Sequence, residues 1–381
     1  MRSLYFDHNA TTPLDPRVRD VMLPWLGAHH GNPSSVHAFG QAAREAVDNA
    51  RQQVAALIGA NPGRIVFTSS GTEANNAVVF SRAMNISGGH LVLSAMEHPS
   101  IEAAAQRLNS SGWEVTRVPP EVNGRVPAQR VLEVIREETA LVCLMLANNE
   151  LGTIQPIAEV AEGCREASVP VLCDAVQAAG KIPVDIGVLG VDFLTLGAHK
   201  FHGPLGAAAV WIREGVEMEP YLVGGGQERR RRAGTENVPA LVGFGVASEL
   251  AASELAERTE LLASLRDGFE VGVCALADVT VHGAGAERLP NTSNIAIRGV
   301  PAESLMIRLD LQGIAVSAGA ACSSGKVEPS ATLRAIGLSD KEAASTIRLS
   351  FGMTNSRPEV EELLEILRTE IPTLAKTSGV R

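Results

Sequence analysis

Residues 140–157 read "ALVCLMLANNELGTIQPI". Every residue from 140 to 147 is apolar, and then Asn148, Asn149 and Glu150 arrive together. A strand buried on one face alternates apolar and polar residues, whereas an unbroken apolar run is buried on both faces. The same layout recurs in "VPVLCDAVQAAG" at 169–180 and in "VDFLTLGAHKFHG" at 191–203. Upstream, "RIVFTSSGTEANNAVVF" at 64–80 and "HLVLSAMEHPSIEAAAQRL" at 90–108 each run from a short strand into a helical pattern. Doubly buried strands alternating with helices specify an α/β fold with a parallel sheet covered on both faces.

The pattern continues on either side of this block. "QAAREAVDNARQQVAALI" at 41–58 carries apolar residues at helical spacing and stops at Gly59. "AAAVWIR" at 207–213 reads as one further strand, antiparallel to the rest, and "GGGQERRRRAGTEN" as a long irregular loop. An Ala/Leu/Glu-rich helical pattern from about 240 to 266 reads as a connector. The remaining C-terminal part alternates short strands and helices, as a smaller domain would.

Composition narrows the function classes. The chain has 381 residues, a hydrophobic content of 45% and a formal net charge of −10. That length suits a large core and two domains, and the acidic balance argues against a nucleic-acid footprint. No apolar run approaches a membrane span, and "MRSLYFDHNATTPLDP" lacks a secretory layout. The expectation is a cytoplasmic enzyme that binds neither membrane nor nucleic acid. The five cysteines (143, 164, 173, 274 and 322) are scattered and odd in number, so neither a disulfide framework nor a CxxC zinc site is expected. Cys143 and Cys173 lie in apolar runs, Cys164 and Cys274 in helical patterns. Cys322 sits in "SAGAACSSGKVEPS" at 317–330, among residues with almost no side chain.

In a parallel sheet, ligands collect beyond the carboxyl ends of the strands, so the polar residues found there should line one cleft. The Gly71–Thr72 turn between strand and helix offers free N–H groups to a phosphate, or serves as a simple N-cap. Asp174 ends a buried strand, where its carboxylate needs a cation or caps the next helix. Lys200 is one of only five lysines and follows an apolar strand. Desolvation there lowers its pKa and frees the amine for Schiff-base chemistry; the other reading is a lysine reaching out to solvent. His98 can stack on a ring and move protons, or be structural. His199 and His202 form an HxxH spacing without further ligands nearby, a poor zinc site. Arg348, mid-strand in "STIRLSFG", wants a carboxylate, either a substrate's or an internal one. The "ERRRR" run at 228–232 is a solvated loop or a nucleic-acid patch. Each signal is ambiguous alone. Together, a phosphate seat, a stacking histidine, a carboxylate for a pyridinium and a Schiff-base lysine describe a pyridoxal phosphate site.

These motifs, with "GNPSSVH", "NNELGTIQPI", "DAVQAAGKIPVD", "AHKFHGP", "NTSN" and "IRLSFG", resemble in order and nearly end to end the cysteine desulfurases of the NifS/IscS group, in the class V aminotransferase family. The resemblance implies a fold-type I homodimer. Its large domain, residues 16–255, would hold a mainly parallel seven-stranded sheet; residues 1–15 and 256–381 would form a small α+β domain carrying the Cys322 loop. It implies that Lys200 binds pyridoxal 5'-phosphate, that Asp174 pairs with the ring nitrogen, that Gln177 bonds the phenolic oxygen and that His98 stacks on the ring. Gly71, Thr72 and His199 would hold the phosphate, with Thr235 from the neighbouring subunit. Asn149 and Arg348, with Asn32, would orient the substrate carboxylate. L-cysteine would become L-alanine, with Lys200 as base, His98 as proton carrier and a persulfide on Cys322. That sulfur would pass to an acceptor such as an iron–sulfur scaffold, and Cys322 could lend its thiolate to a cluster in transit. A selenocysteine lyase or a cystine/cysteine β-lyase would share the cofactor residues. Two positions depart from the family: Gly197 replaces a phosphate-binding serine, which predicts weaker cofactor retention, and Leu205 stands where a lysine is common, with nothing in the sequence to account for it.

Overall fold

The computed structural model describes residues 3–84, 86, 88–318 and 330–377. Its centre is a seven-stranded sheet in the order Ile65–Thr68, Ala208–Ile212, Phe193–Gly197, Val171–Asp174, Thr139–Met145, His90–Ser94, Glu114–Val118. Neighbours are parallel from Phe193–Gly197 through to Glu114–Val118. Ala208–Ile212 runs antiparallel to both of its neighbours. The mainly parallel α/β fold is the one its apolar runs called for. All strands but the edge strand Glu114–Val118 are buried along their whole length.

Helices cover both faces. On one side Val54, Phe67, Phe201 and Phe244 pack with the helices Ala38–Leu57 and Val238–Ser253. On the other, Leu91, Ile101, Trp113 and Phe193 pack with Gly71–Ala83 and Pro99–Asn109. Burying each such large side chain contributes about 1.5–3 kcal/mol. A separate core joins Leu4 and Phe6 to Phe269, Leu309, Phe351 and Leu363. It lies against an antiparallel sheet ordered Ser317–Ala318, Thr346–Ser350, Thr292–Ile297, Val279–His282. Leu4–Tyr5 pairs in parallel with Ile314–Ala315, so the start of the chain packs among its later residues.

The connector differs from the single helical pattern read at 240–266. Two helices, Val238–Ser253 and Leu255–Leu276, meet at 76°. Glu254 leaves the helical region there (φ −102°, ψ 8°), and its carboxylate binds Arg17 and Arg258. Among the described residues no single helix is long and apolar enough to cross a membrane.

The "ERRRR" run is anchored from inside at Glu228, while Arg229 and Arg230 are exposed. Glu228, Arg229 and Arg230 take positive φ values of 45°, 56° and 65°, a costly conformation for side-chain-bearing residues. The buried carboxylate of Glu228 holds it in place, accepting from Arg51 Nη1 and Nη2 at 2.7 Å each and from the Phe67 N–H at 3.0 Å. Arg232 pairs with Glu73 and Arg229 donates to the Gly63 carbonyl.

Candidate active site

The parallel strands end on one side of the sheet, and their last residues surround a cavity of about 260 Å³. Ser70, Gly71 and Thr72 come from the first strand end, His98 from the next, and Asn149 from the strand Thr139–Met145. Asp174 and Gln177 follow Val171–Asp174, and His199 and Lys200 follow Phe193–Gly197.

Lys200 closes the short turn Ala198–Lys200. Its Nζ donates to the carbonyls of Asn9 at 2.6 Å and Ala10 at 2.8 Å. Burial, reinforced by Arg348, brings its pKa from 10.5 to about 8, against the pull of Asp174 and Asp7. About a tenth of the amine is therefore unprotonated at pH 7, far more than for an ordinary lysine, and a nucleophile reacts in that form.

Asp174 is 7% exposed. Its Oδ2 accepts from Asn75 Nδ2 at 2.8 Å and its Oδ1 from the Val176 N–H at 3.0 Å. Both donors are neutral, and no cation pairs with this carboxylate among the described residues. A buried carboxylate so placed is completed by a positive group.

His98 begins the helix Pro99–Asn109, and its Nδ1 accepts from the Ser100 N–H at 3.1 Å. The ring proton therefore resides on Nε2. Ser100 Oγ sits 2.8 Å from the same Nδ1 and receives Asn75 Nδ2 at 2.9 Å. Burial and then Lys200 lower the pKa of His98, against Asp174, so the imidazole is neutral. His199, with Nδ1 3.1 Å from Thr11 Oγ1, is pushed down to about 4 by burial, Lys200 and Lys181.

Gly71 opens the helix Gly71–Ala83 behind its N-cap, Ser70. A Cβ on Gly71 would lie 3.1 Å from Val176 Cγ2, and one on Gly197 3.3 Å from Val176 Cγ1. Both glycines keep the space beside Val176 open. Free helix N–H groups at this end favour an anion. An open anion seat, a carboxylate short of a cation and a deprotonating lysine fit pyridoxal phosphate at its phosphate, ring nitrogen and aldehyde.

Not every candidate lines this cavity. Arg348 is buried behind it, donating from Nη1 to the Asn149 carbonyl at 3.0 Å and pairing through Nη2 with Asp7 at 2.6 Å. Asn32, whose Oδ1 accepts from the Ser34 N–H, and Thr235 are exposed and stand outside it. Cys322 lies outside the described residues. His199 and His202 turn to different partners, Thr11 and the Pro13 carbonyl. Among the described residues no group of three or more His, Cys, Asp or Glu side chains could hold a metal ion.

Sequence reading passed over Asn75, which is 1% exposed. It bonds Asp174 and Ser100, and its Oδ1 accepts from Thr195 Oγ1 at 2.8 Å. Its signal was present: it stands four residues after Gly71 on the same helix, so both share one face. Asn9, also 1% exposed, was passed over as well; its backbone and side chain bond residues far along the chain.

A parallel sheet with a lysine, a buried carboxylate and a neutral imidazole around one cavity at its carboxyl edge is the arrangement of pyridoxal-phosphate enzymes of fold type I. The aminotransferase class-V family model matches residues 4–363. Cysteine desulfurase IscS 1 of Archaeoglobus fulgidus is 41% identical over 376 residues, covering 98% of each chain. Among solved structures, a NifS-like protein superposes with a TM-score of 0.92 at 34% identity, covering 98% of this chain and all of that one. SspA in complex with cysteine superposes with a TM-score of 0.83 at 33% identity, covering 92% and 99%. The chain belongs to the aminotransferase class-V family, in its cysteine desulfurase group, a family whose members depend on pyridoxal phosphate.

Proposed function

We propose that this desulfurase uses pyridoxal 5'-phosphate to convert L-cysteine to L-alanine, taking the sulfur as a persulfide on Cys322 for delivery to an iron–sulfur scaffold protein. The observation that carries the reading is Asp174: a buried carboxylate with two neutral donors, in the same cavity as a lysine whose pKa is about 8. When bound, the cofactor serves as the sink for the electron pair left on the substrate α-carbon.

The chain's own residues do the rest. Lys200 holds the cofactor, and its freed amine takes the α-proton. Asp174 keeps the ring nitrogen protonated, oriented by Asn75. Gly71, Thr72 and His199 bind the phosphate, and Thr235, which is exposed on its own chain, reaches a second copy's phosphate in a homodimer. Asn149 and Arg348, with Asn32, receive the substrate carboxylate, which shares the Arg348 guanidinium with Asp7. His98 stacks over the ring and exchanges a proton at Nε2 with the substrate sulfur. The Cys322 thiolate forms the new S–S bond as the substrate C–S bond breaks, and that bond's electron pair leaves with the carbon skeleton that becomes alanine.

The test is Cys322→Ala. With L-cysteine and a thiol reductant, the wild type should release alanine and sulfide in equal amounts. The variant should lose both while keeping the visible absorption of the lysine-bound cofactor. Alanine formation at the wild-type rate in the variant, or pyruvate and ammonia as the wild-type products, would overturn the persulfide route.

A further inference from the structure

Lys181 is 4% exposed. Its Nζ donates to Gln177 Oε1 at 2.8 Å and to Asn9 Oδ1 at 3.1 Å. No carboxylate pairs with it among the described residues. Burial pushes its pKa well below the ordinary lysine range, and the charges that bear on it, Lys200 and Arg348, are both cationic and push the same way. His8, His199 and His202 in turn feel its charge. Its placement is enforced: Gly180 takes φ +73°, and a Cβ there would meet Phe201 Cβ at 2.7 Å. A lysine buried among cations is costly and points to a role beyond packing.

The hydrogen bonds say what that role is. An amide has an acceptor end and a donor end. Lys181 occupies the acceptor end of Gln177. The donor end gives one N–H to the Asn9 carbonyl at 2.9 Å, the carbonyl that also receives Lys200. Turning the amide over would set its NH2 against Lys181 and its oxygen against that carbonyl. The orientation is therefore locked, and the second N–H of Gln177 is left for the cavity it lines.

We propose that Lys181 is a positioning residue: by holding Gln177 Oε1 it presents an N–H, never an oxygen, to the cofactor ring oxygen, and so sets the protonation of the chromophore at Lys200. The inference rests on the functional reading above. The Lys200 chromophore also faces Arg348, Asp174, Asp7, His98 and His199, which every variant below leaves in place.

The experiment is a spectroscopic pH titration of wild-type, K181M, Q177L and K181M/Q177L holoenzymes, with melting of the cofactor-free proteins beside it. With its amide held from the donor end alone, Gln177 should present the N–H less firmly, and the chromophore's midpoint should move up by about 0.5–1 pH unit in K181M. Q177L should shift it in the same direction, and the double variant should match Q177L, because Lys181 acts through Gln177. Cofactor-free K181M should melt no lower than wild type. A wild-type midpoint in K181M, or shifts that add in the double variant, would overturn the proposal; additive shifts would make Lys181 a charge acting on its own. K181Q takes the place of K181M if the latter fails to fold, and failure of both would make the residue structural and the proposal wrong. A wild-type protein without the chromophore would sink the functional reading itself, whereas a chromophore indifferent to K181M sinks only the role of Lys181.

Discussion

Gly197 closes its strand three residues before Lys200, at the position where the resemblance to desulfurases implies a phosphate-binding serine. Its backbone, φ −136° and ψ 117°, is ordinary extended geometry that any residue adopts. A serine Cβ would stand 3.3 Å from Val176 Cγ1 and 3.8 Å from His199 Cδ2. Val176 must give by a few tenths of an ångström, which we set at about 0.5–1 kcal/mol together with ordering the new side chain. The hydroxyl gains a hydrogen bond to the phosphate dianion, about 1.5–3 kcal/mol. The net is about 0.5–2.5 kcal/mol, so Gly197→Ser should bind pyridoxal phosphate about 2–70-fold more tightly. The comparison variant is Gly197→Ala, which adds the same Cβ and the same backbone restriction without the hydroxyl. Equilibrium dialysis of the cofactor against cofactor-free wild type, G197A and G197S gives the three dissociation constants. G197S should be the tightest and G197A no tighter than wild type. If G197S only equals G197A, the hydroxyl meets no phosphate, and the placement of that group beside His199 and Gly71 is wrong.

Two further outcomes follow from the site. The Lys200 amine must be neutral to capture the cofactor, so the rate of loading cofactor-free protein should rise with pH and level off above about 8; a climb continuing toward 10.5 would show an unperturbed lysine. Asn75→Ala removes one bond to a carboxylate and two to neutral groups, and with water from the cavity replacing part of them it should cost about 2–4 kcal/mol in denaturant unfolding of the cofactor-free protein; a loss under about 0.5 kcal/mol would count against Asn75 as the keystone of Asp174 and His98.

Part of this geometry is encoded in local order and is legible in the amino-acid chain. An apolar run that ends in Asp174, Lys200 or Asn149 announces both a buried strand and the polar residue at its carboxyl edge. Gly71 and His98 follow from the same rule, since each stands where a strand turns into a helix. Asn9, Lys181 and Asn75 are hidden because their meaning lies in partners. Asn75 meets Asp174 across 99 positions, and Asn9 meets Ser350 across 341. No periodicity carries such pairings. The break at Glu254 is hidden for a related reason: the residues around it all favour helix, and Arg17, from the start of the chain, helps hold the bend. The arginine run is half legible: Arg229 and Arg230 are exposed as their charge suggests, while Glu228 anchors the run to Arg51 inside.

The hydrogen bond from the Asn9 N–H to Ser350 also sets a clock on biosynthesis. Asn9 supplies the carbonyl that receives Lys200, yet one of its own supports is made 341 residues later. At about 5–20 residues per second, the ribosome needs about 20–70 s to cover that interval. Through it the core that Leu4 and Phe6 enter stays incomplete, because Leu349 and Phe351 do not yet exist. The nascent sheet strands can assemble meanwhile, since Ile65 through Ile212 are complete well before. The contact that ties the Asn9 backbone, and with it the carbonyl facing Lys200, to the antiparallel sheet is thereby made only after Ser350 has been added.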